Sequence, residues 1–323
     1  MSSAADATIQ HAAPDRSDTL ATLGAADVSQ RCRSGLLVLD LGPITLRVRS
    51  DIPAVLDGLM RVYRDFPVLP PDRFADVSLE LRHGTGLRRF ARKQAQLFVD
   101  GEPLFFPVAL PLAPVLMEWG MNWVVSLREH AYLLVHASVV EREGKAAILP
   151  ALPGSGKSTL AGLLSMSGWR LLSDEFGMLE VSTGALRPFP RPFSLKGTSI
   201  AAVRAIAPQM ETTETYEHPE DGPMVLVRPA GDAVARRNER AEPRWIVFPT
   251  YKAGASLAVT PISKTDAFFE VQDDTFNYFM LREAGFEALA SMVDRCRCMR
   301  LTYGRTEDAL SFFDRLLAEE RVA

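Results

Sequence analysis

A glycine-rich segment at residues 151–159, with the sequence ALPGSGKST, limits the folds open to this chain. It matches the phosphate-binding pattern G-x-x-x-x-G-K-[ST] except at its first position, which is alanine here. Gly154 and Gly156 can adopt positive φ, so consecutive backbone N–H groups can turn toward phosphate oxygens. Lys157 is then expected to reach the β- and γ-phosphates, and Ser158 to hold Mg²⁺. The residues predicted to bind nucleotide are Gly154, Ser155, Gly156, Lys157, Ser158 and Thr159.

A strand and a helix are predicted on the two sides of this loop. Ala146–Leu149 is an apolar run of strand length, and Leu160, Leu163 and Leu164 have helical spacing after it. A helix that begins at Thr159 would add its N-terminal dipole to the attraction for an anion. The order strand, glycine loop, helix predicts an α/β fold that binds nucleotide phosphates.

Two adjacent acids follow the next predicted strand, Trp169–Ser173. Asp174 and Glu175 would lie at its carboxyl end, which is where open α/β sheets bind ligands. One carboxylate can orient Mg²⁺ or its waters, and the other can accept the proton of an attacking hydroxyl. Acids are also common at solvated strand ends, but the phosphate loop upstream favours a catalytic role for this pair.

A histidine lies in the strand predicted before the phosphate-loop strand. His136 falls inside the apolar run Leu133–Val140, and Glu143 with Gly144 predicts a tight hairpin turn into the next strand. A single histidine in such a run is usually a hydrogen-bonded core residue. Its place beside the phosphate loop makes His136 a catalytic candidate as well.

Taken together, these motifs resemble the HPr kinase/phosphorylase superfamily, and its HPr-kinase-related kinase A branch in particular. These are protein serine kinases with a core similar to that of ATP-dependent phosphoenolpyruvate carboxykinase. The resemblance is clearest over Leu133–Gly197 and extends over most of residues 31–323. The segments that carry it beyond the phosphate loop are Glu118–Trp123, Gly168–Glu175, Pro190–Lys196 and Arg244–Pro249.

The resemblance implies a role for each matching residue. Glu175 falls on the family's catalytic base, Asp174 on its neighbour, and His136 on the histidine that assists proton handling. Lys196 falls near an Arg-Gly pair that lines the family's active site. Arg191 lies on a proline-stiffened segment nearby, so Arg191 and Lys196 are candidate phosphate or substrate contacts, although solvated surface residues would look the same.

Three departures from the family pattern bear on the reaction. The base position is Glu rather than Asp, and Thr159 stands where the bifunctional enzymes usually have Glu. The R-x-G-R-N pattern of the bifunctional enzymes has no match in this chain. The sequence therefore favours a one-way kinase that acts on a substrate other than HPr.

Composition and charge limit the binding partners and the cellular compartment that we expect for this protein. The 323 residues carry a formal net charge of −4, without the basic face typical of nucleic-acid binders. Three cysteines are an odd and sparse count, typical of a reducing compartment. We find no pattern of a signal peptide, and prolines and Glu118 interrupt the most apolar window, Leu104–Leu127. The sequence predicts a cytoplasmic protein that does not interact with membranes or nucleic acid.

The predicted fold class is α/β: a phosphate-loop core of the HPr kinase/phosphoenolpyruvate carboxykinase-like type with a mixed sheet, plus an N-terminal α+β portion. We expect a disordered tail at residues 1–30, the N-terminal portion at 31–128 and the kinase core at 129–323. Residues 208–243 are dense in Glu, Thr and Pro, which predicts a long loop or lid within the core.

The function predicted from the sequence is transfer of the γ-phosphoryl group of ATP, with Mg²⁺, to a Ser or Thr hydroxyl of a small protein or peptide. Ser158 and Asp174 would position the Mg²⁺, and Glu175 would take the hydroxyl proton. The resemblance adds a PqqD-like carrier as a candidate partner and leaves open a homo-oligomer. Two alternatives remain at this stage. The chain could be a non-catalytic regulator that senses nucleotide, or a phosphate-loop kinase that acts on a small metabolite.

Overall fold

The computed structural model describes residues 18–150 and 154–321, which form a mixed α/β structure with mixed sheets. An N-terminal portion comes first, with three helices and six strands. Its elements are α1 (Leu20–Ser34), β1 (Leu37–Asp40), β2 (Thr45–Ser50), α2 (Pro53–Val62), β3 (Val68–Leu69), β4 (Val77–His83), β5 (Gln94–Val99), β6 (Glu102–Ala109) and α3 (Ala113–Arg128).

The N-terminal strands form one six-stranded sheet in the order β3-β1-β2-β4-β5-β6, covered on one face by the helices. Buried and exposed side chains alternate along its strands, because every second residue of a strand points to the same face. In β4, Val77, Leu79 and Leu81 are buried, while the residues between them are partly exposed. Strands β1 and β2 form an antiparallel hairpin.

The rest of the described chain contributes six more helices and twelve more strands. These are β7 (Tyr132–Val135), β8 (Ala137–Arg142), β9 (Lys145–Pro150), α4 (Lys157–Ser165), β10 (Arg170–Ser173), β11 (Gly177–Glu180), β12 (Leu186–Arg187), β13 (Phe193–Lys196), α5 (Thr198–Ile206), β14 (Tyr216–His218), β15 (Gly222–Val227), α6 (Gly231–Ala235), β16 (Glu242–Tyr251), β17 (Ala258–Pro261), α7 (Lys264–Asp273), α8 (Tyr278–Arg295), β18 (Arg297–Tyr303) and α9 (Thr306–Glu320).

A second six-stranded sheet, in the order β10-β8-β9-β16-β18-β17, carries the predicted motifs. Strand β8 is antiparallel to both of its neighbours, β9 and β10, whereas β9, β16 and β18 are parallel to one another. The carboxyl ends of β9, β10, β16 and β18 therefore lie at one sheet edge, together with the amino end of β8. This topology brings the segments after β9 and β10 next to His136, which precedes β8.

Helices cover both faces of this sheet. Trp245 and Val247 of β16 pack into a core with α4 and α9, whereas Ile246 and Phe248 of the same strand pack with α7 and α8. A central strand that is buried on both sides has a continuous apolar run instead of an alternating one, as residues 245–248 do. Strand β16 is therefore packed on both faces next to β9, which leads into the glycine loop.

Two predicted irregular segments are corrected by the structure. Of the expected tail 1–30, residues 1–17 lie outside the described residues, but residues 20–30 belong to α1. Thr19 caps that helix, and Leu20 and Val28 are fully buried in the N-terminal core, contacts that composition alone does not predict. The expected loop at 208–243 contains β14, β15 and α6, because β15 finds a pairing partner in β13.

The boundary expected between residues 128 and 129 is bridged by packing. The N-terminal core also takes in apolar side chains from the later part of the chain, among them Leu134, Phe176, Met178 and Phe189.

A buried salt bridge between Arg170 of β10 and Glu141 of β8 joins the first two strands of the second six-stranded sheet. Arg170 also donates to the carbonyl oxygens of residues 236 and 239, so it ties the segment after α6 to the sheet.

Replacing Glu141 with Ala should lower the free energy of unfolding by about 3–5 kcal/mol, because it leaves the Arg170 charge buried without its partner. Arg142→Ala is the matched control: its partner Asp314 is exposed, and such pairs contribute less than about 1 kcal/mol. Chemical denaturation of both variants measures the difference. Equal losses would contradict the anchoring role of the Arg170–Glu141 pair.

Candidate functional site

The glycine loop leads into helix α4 with the predicted backbone. Gly154 has φ 83° and Gly156 has φ 90°, both in the left-handed region that favours glycine. Helix α4 begins at Lys157, two residues before the predicted start at Thr159. The first three residues of the motif, Ala151 to Pro153, lie outside the described residues.

Two neighbouring strand ends hold this loop in place. The backbone N–H of Tyr251, at the end of β16, donates to the carbonyl oxygen of Ser155 at 3.1 Å. A Cβ atom at Gly156 would lie 3.3 Å from Tyr251 Cβ and 3.4 Å from the Tyr303 hydroxyl, besides requiring a strained φ. Gly156 is therefore needed both for its conformation and for its close contact with β16 and β18.

Three buried polar atoms around the loop lack a hydrogen-bond partner within the described part of the chain: Lys157 Nζ, Ser155 Oγ and Asp174 Oδ2. Lys157 is only 8% exposed and Asp174 only 5%. Buried polar groups in proteins are nearly always paired, so unpaired ones at one place need an explanation. An anion on the amine and a cation on the carboxylate would satisfy Lys157 and Asp174.

Asp174 lies at the carboxyl end of β10 and faces two hydroxyl groups. Ser138 donates a hydrogen bond to its Oδ1, and the Ser158 hydroxyl lies against the same carboxyl group. Burial and the nearby charge of Glu175 raise the pKa of Asp174 to about 6, although Ser138, Lys157 and Ser158 act to lower it. The structure thus brings together Ser158 and Asp174, the two residues predicted to bind metal.

Glu175 differs electrostatically from its neighbour. Burial raises the pKa of its carboxyl group, but hydrogen bonding to His136 and the charges of Lys157 and Arg191 outweigh it, so that the pKa is lowered overall. His136 Nε2 lies 3.4 Å from Glu175 Oε2, and the Glu175 side chain is still 36% exposed. Glu175 is therefore an ionised carboxylate that an incoming hydroxyl group can reach. The pKa of Asp174 is raised and that of Glu175 is lowered, a difference that suits the two carboxyl groups to different roles.

His136 lies at a break between two strands, not inside one strand as predicted. The chain leaves β7, which pairs with β11, and enters β8, which pairs with β9 and β10. At the break, the backbone N–H of His136 donates to the carbonyl oxygen of Asp274 at 2.6 Å, and the His136 ring lies 5.4 Å from that of Phe276. The segment between α7 and α8 thus forms one wall of the site.

Asp274 is a site residue that sequence reasoning missed. Its carboxyl group is close enough to His136 and Lys157 for their charges to lower its pKa, although burial raises the pKa overall. Nothing local to Asp274 resembles a motif, since it joins the site through tertiary contacts of the α7–α8 connection. Its position was therefore not predictable from spacing.

Arg191, which was predicted to contact phosphate or substrate, is instead bound to residues of the N-terminal portion. Its Nη1 donates to Glu118 Oε2 at 2.8 Å and its Nη2 donates to Asn122, both on helix α3. Glu118 also accepts a hydrogen bond from the Tyr63 hydroxyl. Both Nη atoms are therefore engaged by the N-terminal portion, while the charge of Arg191 still acts on Glu175.

Lys196, the other predicted phosphate or substrate contact, is half exposed on β13. Its amine lies 2.8 Å from Asp221 Oδ2, at the turn between β14 and β15. In the described parts of the chain, this amine donates a hydrogen bond to Asp221 and to no residue of the phosphate loop. The structure therefore does not place Lys196 with the cluster formed by Lys157, Asp174, Glu175 and His136.

No protein-family model matches the chain, and no curated protein shows significant similarity to it. Membership of the HPr kinase superfamily therefore stays a prediction that rests on the motifs. In the described ranges, no helix combines the length and the apolar character needed to cross a bilayer.

The raised pKa of Asp174 predicts a pH-dependent stability. Because the folded chain holds this proton to a higher pH than the unfolded chain does, stability falls as pH rises from about 4 to about 6. Asp174→Asn carries no ionisable proton at this position, so its free energy of unfolding should exceed that of the parent by about 3 kcal/mol at pH 7, and the gain should shrink toward pH 4. Urea denaturation at both pH values measures it.

Asp273→Asn is the matched control, because Asp273 is an exposed neighbour of the site on α7. It should change stability little at either pH. If Asp174→Asn destabilised the protein at pH 7, or gained equally at both pH values, the electrostatic account of Asp174 would be wrong.

Proposed function

We propose that this chain is an ATP-dependent kinase that transfers the γ-phosphoryl group to a Ser or Thr hydroxyl of a small protein or peptide. The observation that supports it most is the buried Lys157 amine opposite Asp174 and Glu175, beside a loop whose glycines have positive φ. Burial lowers the pKa of this amine, and the carboxylates around it raise it. Such a cationic group under a helix N-terminus is what phosphate binding requires.

The residues present fit MgATP. The glycine-loop amides and Lys157 would hold phosphates, and Ser158 and Asp174 would hold Mg²⁺, whose usual protein ligands are one or two oxygen groups together with phosphates and water. Bound there, MgATP supplies the phosphoryl group and neutralises part of its charge. The unpaired Asp174 Oδ2 and Lys157 Nζ fit these two roles.

Glu175 is the base in this proposal. Its lowered pKa keeps it ionised at neutral pH, and its partial exposure lets an acceptor hydroxyl group approach. The hydroxyl oxygen forms a bond to the γ-phosphorus, the bond from that phosphorus to the leaving ADP oxygen breaks, and the hydroxyl proton passes to Glu175. His136, at 3.4 Å, orients the Glu175 carboxylate and can share that proton.

We further propose that the core is of the HPr kinase/carboxykinase-like type and that the enzyme works in one direction. The sheet order supports this, because it brings the segments after β9 and β10 to the start of β8, as the shared motifs require. A cytoplasmic location, a PqqD-like carrier as a partner and a homo-oligomer remain parts of the proposal that follow from the motifs alone.

Glu175→Gln should keep nucleotide binding and slow phosphoryl transfer by about 10²-fold or more, because it removes the base. Lys157→Ala should weaken nucleotide binding itself. Transfer from γ-labelled ATP with Mg²⁺ into heat-treated extract of the source organism measures the first effect, and titration with ATP measures the second.

Glu180→Gln and Lys252→Ala are the controls, since Glu180 lies on β11 paired with Arg240, and Lys252 is exposed after β16. Neither should change transfer or binding. A Glu175→Gln protein that labels the same band at the parent rate would contradict the proposed base. ATP binding without transfer to any protein would favour a nucleotide sensor, and labelled metabolites alone would favour a metabolite kinase.

A further inference from the structure

A cluster of exposed apolar side chains, called here the aromatic surface, lies on α7, α8 and the connection between them. Its members are Phe269, Phe276, Phe279, Met280 and Phe286, with exposed fractions of 57%, 43%, 79%, 51% and 52%. Large exposed apolar patches on soluble proteins usually mark interaction sites, and aromatic residues and Met are enriched in such interfaces.

Ring contacts make this surface continuous. Phe268 lies at its centre, with ring centroids 5.6 Å from Phe269, 5.6 Å from Phe286 and 6.4 Å from Tyr278. Tyr278 in turn lies 5.2 Å from Phe279. Phe269, Phe279 and Phe286 are therefore joined through the rings of Phe268 and Tyr278. Phe276 and Met280 adjoin Tyr278 and Phe279 along the chain.

The patch begins at the catalytic residues. The Phe276 ring lies 5.4 Å from the His136 ring, and His136 contacts Glu175. A polypeptide that brings a hydroxyl group to Glu175 from this side must therefore lie against Phe276 and its neighbours.

The connection that carries Phe276 is held firmly. Asn277, which is 1% exposed, accepts a hydrogen bond from the Leu134 amide and donates to the carbonyl oxygens of Glu129 and Tyr132. The Phe276 amide donates to the Leu134 carbonyl oxygen at 2.9 Å. A rigid base lowers the entropy cost of docking a partner on this surface.

The helix above it is distorted at one point. Arg282 has φ 52° and ψ −126° within α8, a conformation that costs of order 1–3 kcal/mol in a residue other than glycine. The distortion separates the turn that bears Phe279 and Met280 from the rest of α8. Strain of this kind persists where surrounding contacts enforce it, and it is concentrated at functional sites.

The charges around the aromatic surface have one dominant sign. Residues 266–287 contain six acids against a single basic residue, Arg282. The acids are Asp266, Glu270, Asp273, Asp274, Glu283 and Glu287. Only Glu270 is paired with a basic residue from elsewhere in the described chain, Arg300. These acids lie on the same two helices and connection as the aromatic surface and are called here its acidic rim.

We propose that the aromatic surface docks the acceptor polypeptide, through a segment with bulky apolar side chains flanked by Lys or Arg. This proposal rests on the kinase function proposed above and names the substrate class of that site. The apolar residues of the acceptor pack on Phe279, Met280 and Phe286, and its basic residues face the acidic rim. Its hydroxyl group then lies at Glu175, beyond Phe276.

The charge pattern favours this occupant over a second copy of the chain. In a two-fold interface formed by this surface, the acidic rim of one chain would face the acidic rim of the other. Like charges brought together in this way oppose association. A basic segment meets the rim with opposite charge instead.

The test uses short random peptides with a central Ser, displayed as a library and selected on the full-length protein without nucleotide. A second selection uses Phe279→Ser/Met280→Ser, and a third uses Phe106→Ser as the matched control, since Phe106 is 91% exposed on β6. We expect enrichment of peptides that combine Leu or aromatic residues with Lys or Arg. Their affinity should drop about tenfold or more in the double variant and stay unchanged in the control.

Enrichment of acidic or purely polar peptides, or no enrichment that depends on Phe279 and Met280, would overturn the docking proposal. Analytical ultracentrifugation that shows a dimer of the parent protein and a monomer of the double variant would also overturn it. Transfer of phosphate to the selected peptides is measured separately with MgATP. Glu175-dependent transfer to proteins without peptide docking overturns the docking surface alone, whereas docking without any transfer overturns the kinase.

Discussion

The site depends on the burial of one cationic amine among carboxyl groups at a single sheet edge. Lys157 is held there because Gly156 starts helix α4 in a left-handed conformation against the ends of β16 and β18. Asp174 and Glu175 reach the same place because β8 runs between β9 and β10 in the opposite direction. Removing the glycine loop or the antiparallel strand β8 would separate the Lys157 amine from the carboxyl groups. The chemistry of the site therefore depends directly on the order of the strands in the sheet.

The two acids are adjacent in the chain but not equivalent. Asp174 points inward to Ser138 and Ser158 and has a raised pKa, whereas Glu175 points toward His136 and the outside and has a lowered one. The N-terminal portion contributes to this asymmetry through Arg191. That residue is fixed by Glu118 on α3, yet its charge acts on Glu175. The N-terminal portion therefore affects the electrostatics of the site as well as the packing of the core.

Most of what was predicted from the sequence concerned local patterns. The glycine loop, the strand before it, the helix after it and the acidic pair after β10 have short spacings, so residue type and spacing were enough to predict them. The break at His136, the approach of Asp274 and the engagement of Arg191 depend on contacts between distant segments, which no spacing encodes. Helix α1 was missed because tertiary packing overrode its polar and small-residue composition. Strand β15 was missed for a different reason: the polar residues around it hid its short apolar run at residues 224–227.

Anomalous diffraction from crystals of the full-length protein with Mn²⁺ and a non-hydrolysable ATP analogue would locate both the metal and the phosphates. We expect a metal peak between the Ser158 hydroxyl and the Asp174 carboxylate, phosphates against Lys157 Nζ, and Glu175 facing the γ-phosphate side. A nucleotide bound away from the loop, or a metal held without Asp174, would show that this sheet edge is not a MgATP site.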